Sequence, residues 1–406
     1  MPHDYDVLIA GAGPAGCAAA FDLAEAGRRV LLLDKRHFPR HKACACGLTR
    51  KTLAALRYPV DAITERVCEE IVLQRASGAQ TVADKTKELR VRSDQPIAAM
   101  AVRERFDAYC LEQTLRAGHK GGSVALRKIE NILKLEERAD SVSLTVMTGE
   151  GPITLEAPVV IGADGSNGQM RRLSTGSASV TGQEPEWYTR GFALEAMVPY
   201  ASLPAELPQG DAPLDLVFDF APIPGGYGWL FPKGDHINIG VGAFAPSETD
   251  STDNLGLVTR RLLAEYTQCK LGVDLTALGA EITGQYLGMG GDRYQPKGRV
   301  LLVGDAAGLV DPLTGEGIHS ALVSGQAAAA AILGAPHAIA EAYAHHLEPL
   351  QQTLRFSRRA AKAFYREPER GFRVMRWPML RRMVLKTYAD GLGGTGLLAK
   401  FAKLAS

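Results

Sequence analysis

Gly11-Ala12-Gly13-Pro14-Ala15-Gly16 stands directly behind the apolar run Tyr5–Ala10, and the reading of this stretch decides the fold. The run has the character of a buried parallel strand. Ala15–Ala26 then reads as a helix stopped by Gly27, and a second apolar run, Arg29–Asp34, follows. Gly11 permits a tight strand-to-helix turn, Gly13 lets the backbone approach a pyrophosphate, and Gly16 lets the helix pack close to the sheet. Ala15 opens the helix, whose free N–H groups and positive dipole end suit a phosphate. Asp34 closes the second strand 23 residues after Gly11, where a carboxylate can bind a ribose hydroxyl pair. Lys35 and Arg36 come next, suited to phosphate contact or standing as simple strand-end charges. Strand, helix, strand and acid in this order predict a bound dinucleotide.

Length and charge narrow the class. A chain of 406 residues can bury a large core and is long enough for two interleaved domains. With 46% hydrophobic and 22% charged residues it is an ordinary globular sequence, and a net charge of +1 gives no reason to expect nucleic acid. The six cysteines, Cys17, Cys44, Cys46, Cys68, Cys110 and Cys269, form no secreted disulfide framework and no zinc spacing. No metal is expected. A strand begins within five residues of Met1, which leaves no room for a signal peptide, and no apolar run reaches the roughly 20 residues that span a bilayer. These features predict a cytoplasmic protein with reduced thiols.

Two further segments have the character of the first. Val159–Gly165 is an apolar strand ending in Gly162-Ala163-Asp164-Gly165, with Arg171-Arg172 beyond it. Val300–Gly308 is another, ending in Gly304-Asp305, and Asp311-Pro312-Leu313-Thr314-Gly315-Glu316-Gly317 leads into a helical stretch, Ile318–Leu333. Between them, residues 70–100 and 180–290 alternate apolar and polar positions between Pro/Gly turns, the pattern of an antiparallel sheet with one buried face. The expected architecture is α/β: a Rossmann-like dinucleotide domain from 1–75, 101–175 and 291–345, interleaved with a mainly antiparallel β-sheet substrate domain from 76–100 and 176–290. A basic helical C-terminal region, 346–406, follows.

The trio of GxGxxG, a central Gly-Ala-Asp-Gly and a late Gly-Asp resembles the single-component FAD oxidoreductases of the p-hydroxybenzoate hydroxylase type. Within them, Lys42-Ala43-Cys44-Ala45-Cys46-Gly47-Leu48, Tyr227–Asp235 and Asp311–Gly317 resemble the geranylgeranyl reductase family. The resemblance spans residue 4 to about 345. It implies non-covalent FAD, held by the first-turn residues together with Asp164, Gly304, Asp305, Pro312, Gly315, Gly317 and Ile318. Asp305 would meet the ribityl hydroxyls, and the helix opened by Pro312 and Gly315–Ile318 would stabilise charge on the reduced flavin. Glu316 would cap that helix or take part in catalysis. Arg103, in Arg103-Glu104-Arg105-Phe106-Asp107, matches the family's Arg near the flavin and phosphates. Asp164 would shape its turn.

Cys44, Cys46 and Gly47 occupy the family's flavin-side Cys-Gly-Gly-Gly loop, with Ala45 and Cys46 replacing two glycines. They are the candidates for catalytic work. The thiols either line the pocket, gate or attack substrate, or exchange electrons with the flavin. Phe218, Phe220, Tyr227, Trp229 and Phe231 concentrate aromatic surface on the expected substrate sheet, and alternation puts the last three on one face. That surface suits a bulky prenyl or aromatic substrate, free, peptide-borne or lipid-borne. No second GxGxxG follows a strand, so NAD(P)H would dock transiently or another protein would supply electrons.

From Arg355 to Lys403 the chain carries 13 Lys/Arg against Glu367, Glu369 and Asp390, interleaved with aromatic residues and methionines. Such a region suits an anionic membrane surface or an acidic protein, leaving the chemistry to the segments before it. Three functions stay open. The first is hydride transfer from flavin to a C=C bond. The second is aromatic hydroxylation through a peroxyflavin, on a small molecule or on a peptide or protein as in tryptophan-modifying maturation flavoproteins. The third is a non-catalytic docking protein stabilised by FAD.

Overall fold

A computed structural model describes residues 3–75, 88–174, 184–207, 215–244 and 255–391. Lys400 and Lys403 of the basic region, and residues 76–87 at the start of the expected substrate domain, lie outside them. The opening run forms the strand Val7–Ala10 at the centre of a five-stranded parallel sheet, between Arg29–Asp34 and Val159–Gly162. Val300–Leu302 and Ser123–Lys128 complete its edges. Central strands of such a sheet are covered on both faces, so their runs are continuously apolar rather than alternating. Val7, Leu8, Ile9, Leu32 and Val160 are accordingly fully buried.

On one face the helix Pro14–Glu25 packs against the helix Ile318–Gly334. Gly325 permits this approach, because a Cβ there would lie 2.2 Å from the Ala15 carbonyl oxygen. Two chain segments 300 residues apart are thereby locked together by backbone proximity, and the turns at their N-termini face one space. A three-stranded antiparallel meander, Asn131–Glu137, Val142–Thr148 and Gly151–Ala157, adds Ile132, Val142, Leu144 and Val146 to the same core.

The second sheet has seven strands in the order Ile282–Met289, Thr189–Pro199, His236–Ala243, Gly226–Pro232, Leu216–Asp219, Glu70–Gln74 and Glu88–Arg92. All its pairings are antiparallel except Leu216–Asp219 with Glu70–Gln74. Alternation divides its side chains. Leu194, Leu230, Ile239 and Val241 pack with Leu263 and Tyr266 of the helix Leu255–Leu271, while Phe218, Tyr227, Trp229 and Phe231 face the other way.

Two expected boundaries move. Glu70–Gln74, placed before residue 75 with the dinucleotide domain, is hydrogen-bonded on both sides into the substrate sheet. The division at 345/346 cuts the helix Ile339–Arg366, whose Tyr343, Leu347, Leu350 and Leu354 belong to the core of the parallel sheet. A hydrogen-bonded ladder and a continuous apolar stripe decide membership here, and neither is local in sequence.

Candidate active site

One cavity of about 660 Å³ collects the turns of both sheets. Part of its wall is Gly11, Gly13, Pro14, Ala15, Asp34, Lys35 and Arg36. Gly11 has φ +108°, and a Cβ on it would come within 2.3 Å of the Ala163 carbonyl oxygen. Gly13 is different: a Cβ there would meet only the Arg40 guanidinium, at 3.5 Å, so its missing side chain leaves open space. The helix behind it has no side-chain cap and no acid in its first turn, leaving the helix N-terminus for an anion. Asp34 accepts the Ala12 N–H and the Arg36 N–H, both at 2.8 Å, and so ties the glycine turn to the second strand. Gly16 stands behind the wall, against the Gly11 carbonyl.

The late turn approaches from the other side. Asp305 lines the cavity, and its Oδ1 lies 3.4 Å from where a Gly317 Cβ would stand. Gly315, Glu316, Gly317 and Ile318 line it too, and Gly317 begins the Ile318–Gly334 helix with no side-chain cap. Gly304 and Pro312 support this turn from outside the lining. Glu316 caps nothing: it accepts the Thr49 and Thr52 hydroxyls at 2.8 and 3.0 Å and pairs with Lys51 at 2.5 Å. Asp164 accepts the Gln169 and Met170 N–H groups at 2.5 and 2.9 Å, and burial raises its pKa above the usual carboxylate value. The fully buried Arg171 reaches the Ser166 and Ala306 carbonyls and pairs with Glu184, clamping the central and late turns together. An uncapped helix end at the glycine turn, a second at Gly317 and acids at 34 and 305 fit FAD. It would be held by Gly11–Gly16, Asp34, Asp305 and Gly315–Ile318.

Arg103 is buried, donates to Asp107 at 2.7 Å and faces Cys44. The guanidinium beside the glycine turn is that of Arg40, which also pairs with Asp107 at 3.1 Å. Lys35 Nζ is held by Asn131 and Gln169 at 2.9 and 2.7 Å.

The loop Cys44–Gly47 lines the same cavity. Cys46 has φ +49°, the left-handed conformation that a glycine adopts freely and that costs a side-chain-bearing residue about 1 kcal/mol. Buried Lys233 secures the loop by donating to the Ala45 and Cys46 carbonyls at 2.5 and 3.5 Å. Glu195 secures it from the sheet, accepting the Cys44 N–H at 2.8 Å. The Cys46 backbone N–H donates to Cys44 Sγ at 3.4 Å; the neighbouring Cys46 thiol and the Arg103 guanidinium hold the Cys44 thiol well below its usual pKa, while Cys44 and burial push Cys46 up. Burial lowers the Lys233 pKa and raises that of Glu195 to about 7.

Phe218, Tyr227, Trp229 and Phe231 line the cavity, joined by Phe244. Trp229 lies across Gly240, where a Cβ would strike its ring at 2.0 Å, and donates to Asn238 at 2.7 Å. Phe220 does not line the cavity. It lies just beyond the end of its strand and packs instead on Phe364, with ring centroids 4.8 Å apart. The basic region, expected to leave the chemistry alone, closes the aromatic wall. Tyr388 of the helix Pro378–Asp390 lines the cavity and meets Phe218 edge-on at 5.6 Å.

The FAD binding domain family matches residues 4–202. Digeranylgeranylglycerophospholipid reductase 2 of Methanopyrus kandleri is 30% identical over 336 residues, 80% of this chain and 76% of that one. The chain belongs to the geranylgeranyl reductase family. It is an FAD-dependent oxidoreductase. A menaquinone reductase of Mycobacterium tuberculosis is 29% identical over 80% of this chain and 75% of its own. A geranylgeranyl bacteriochlorophyll reductase-like protein of Thermoplasma acidophilum has the same fold, with TM-score 0.71 at 20% identity over 89% and 87% of the two chains.

Arg40, Glu195, Lys233, Asn238 and Tyr388 escaped the sequence reading. Lys233 lies within the Tyr227–Asp235 motif and could have been found there. Glu195 and Tyr388 carry no local signal, because only the sheet register and the docking of the last helix bring them in.

Proposed function

We propose that this reductase saturates C=C bonds of a long polyprenyl chain, borne on a lipid or quinone. The observation that supports this is the cavity wall itself: beyond the flavin-side loop it is built from Phe218, Tyr227, Trp229, Phe231, Phe244 and Tyr388, with Ala193 and Leu287 between them. Such a surface binds an extended hydrocarbon by area rather than by polar contacts. When bound, reduced FAD supplies a hydride. The chain's own residues do the rest. The Lys233 bonds and the Glu195 bond fix the Cys44–Gly47 loop, Tyr227 donates to the Thr314 carbonyl and joins the sheet to the late turn, and Tyr388 closes the aromatic wall. NAD(P)H docking transiently, or a partner protein, supplies the electrons.

Such a substrate resides in a lipid phase, and the reading includes docking on an anionic membrane surface. Among the described residues no helix is long and apolar enough to cross a membrane. The helices Pro368–Met375 and Pro378–Asp390, with Trp377 in the turn between them, instead expose Trp377 at 70% and Met379 at 66%, beside Arg373, Arg382 and Lys386. Arg358 contributes less, since it pairs with Asp292 at 2.8 Å.

The test is anaerobic reduction of the holoenzyme, followed by geranylgeranyl diphosphate, a geranylgeranylated glycerophospholipid or menaquinone. Flavin reoxidation with a gain of two hydrogens per saturated bond is expected for at least one. If none reoxidises the flavin, the polyprenyl reading fails.

A further inference from the structure

Saturating a C=C bond needs a proton as well as a hydride, and the cavity holds several acids. Most are committed. Glu316 is held by Lys51, Thr49 and Thr52, Asp34 and Asp164 accept backbone N–H groups, and Arg103 is paired to Asp107. The Tyr227 hydroxyl is bonded to the Thr314 carbonyl, and Cys44 and burial push the Cys46 thiol up, so that it gives up its proton reluctantly. Glu195 differs in position. It projects from the middle of Thr189–Pro199 on the cavity side, is 2% exposed, and lies across Gly240 from Trp229 in the aromatic wall.

Glu195 also reaches outward. A second cavity of about 190 Å³ is lined by His41, Glu195, Ala196, Met197, Glu281 and Thr283, and His41 and Glu281 are exposed. Glu195, His41 and Thr283 line both spaces, so the carboxyl stands in the wall between the reaction cavity and a polar recess.

We propose that Glu195 is the proton donor of the reaction, passing its proton to the substrate carbon that does not receive hydride and regaining one through the His41–Glu281 recess. The proposal rests on the polyprenyl reading. In the step the Glu195 O–H bond and the C=C π bond break, and one C–H bond forms from the proton and another from hydride of the reduced flavin. The electron pair comes entirely from the flavin, and Glu195 is left a carboxylate. The Cys44 N–H, Asn238 and the Lys233 side chain face that carboxylate and stabilise it, while burial and the neighbouring Cys44 sulfur favour its reprotonation, so that it is poised near neutral pH.

Two measurements on the FAD-loaded protein test this. Infrared difference spectra between acid and alkaline pH should show the carbonyl stretch of a buried carboxylic acid, titrating near 7 and absent from Glu195→Gln. With reduced holoenzyme and geranylgeranyl diphosphate, wild-type flavin reoxidation should slow as pH rises through that value. Glu195→Gln should be roughly 100-fold slower with a flat profile and unchanged FAD affinity, and Glu195→Asp should recover part of the rate and the pH dependence. A Glu195→Gln enzyme with the wild-type rate and profile overturns the proposal, as does an infrared band that survives the substitution. If wild-type enzyme reduces no polyprenyl, the substrate reading has failed, and the infrared titration still decides whether Glu195 holds a proton at neutral pH.

Discussion

The two parts of the cavity wall are built on opposite principles. At the glycine turn, backbone does the work: Gly11, Gly13 and Gly16 are defined by what they lack, and the uncapped helix end offers its N–H groups to an anion. In the other part, side chains from four distant places do the work, namely Cys44, Arg103, Glu195 and Tyr388, with Lys233 holding the cysteine loop from behind. The first wall tolerates no added Cβ at Gly11 yet asks little of its neighbours. The second packs charge into an apolar space, where each ionised group depends on another for its stability. One wall is sensitive to shape and the other to protonation.

The largest test of this contrast lies within the glycine turn. Gly11→Ala should destabilise the protein by on the order of 4 kcal/mol, because its Cβ strikes the Ala163 carbonyl and its φ is left-handed. Gly13→Val, with open space before it, should fold normally and lose FAD. Thermal unfolding of both apoproteins, with flavin content measured separately, checks this; equal destabilisation would erase the distinction between them.

Glu195 sharpens the other side. Its folded pKa of about 7 exceeds the ordinary unfolded value, about 4.3, so the folded state binds the proton more tightly. The stabilisation is complete below the unfolded value and is lost as pH rises to about 7, on the order of 3 kcal/mol in all. Glu195→Gln should lack that slope in urea unfolding between pH 4.5 and 8. A slope identical to wild type would mean that the carboxyl is ionised throughout.

Asp305→Ala should weaken FAD retention by roughly 2 kcal/mol, the worth of a hydrogen bond to a charged group, and should do so even at high salt. Flavin release measured by equilibrium dialysis reads it directly, and unaltered retention would reduce Asp305 to a turn residue. The smallest effect belongs to Arg50, whose fork holds Asp390 at 2.5 and 2.9 Å and docks the helix bearing Tyr388. Being partly exposed, the pair is worth about 0.5 kcal/mol, so Arg50→Ala should barely move the melting temperature. A loss several times larger would show that the helix depends on this contact rather than on Leu385, Tyr388 and Ala389.

The glycine turn, the helix after it, Asp34 and the late Gly-Asp were legible because they are local: a tight turn, a phosphate-binding helix end and a strand-closing acid each need fixed spacing along the chain. Alternation likewise put Tyr227, Trp229 and Phe231 on one face. It could not tell that Phe220 leaves the cavity for Phe364, because that depends on where the Ile339–Arg366 helix packs. Nor could it show that a helix near the C-terminus supplies Tyr388 to a cavity begun at Gly11. By itself the sequence determined the cofactor and the class of enzyme, since dinucleotide binding is written in backbone geometry that few residue types can adopt. The tertiary structure alone decided which acid is buried, which cation holds the cysteine loop and what closes the pocket. Those properties arise from burial and from contacts between segments up to hundreds of residues apart, which leave no periodicity or spacing in the chain.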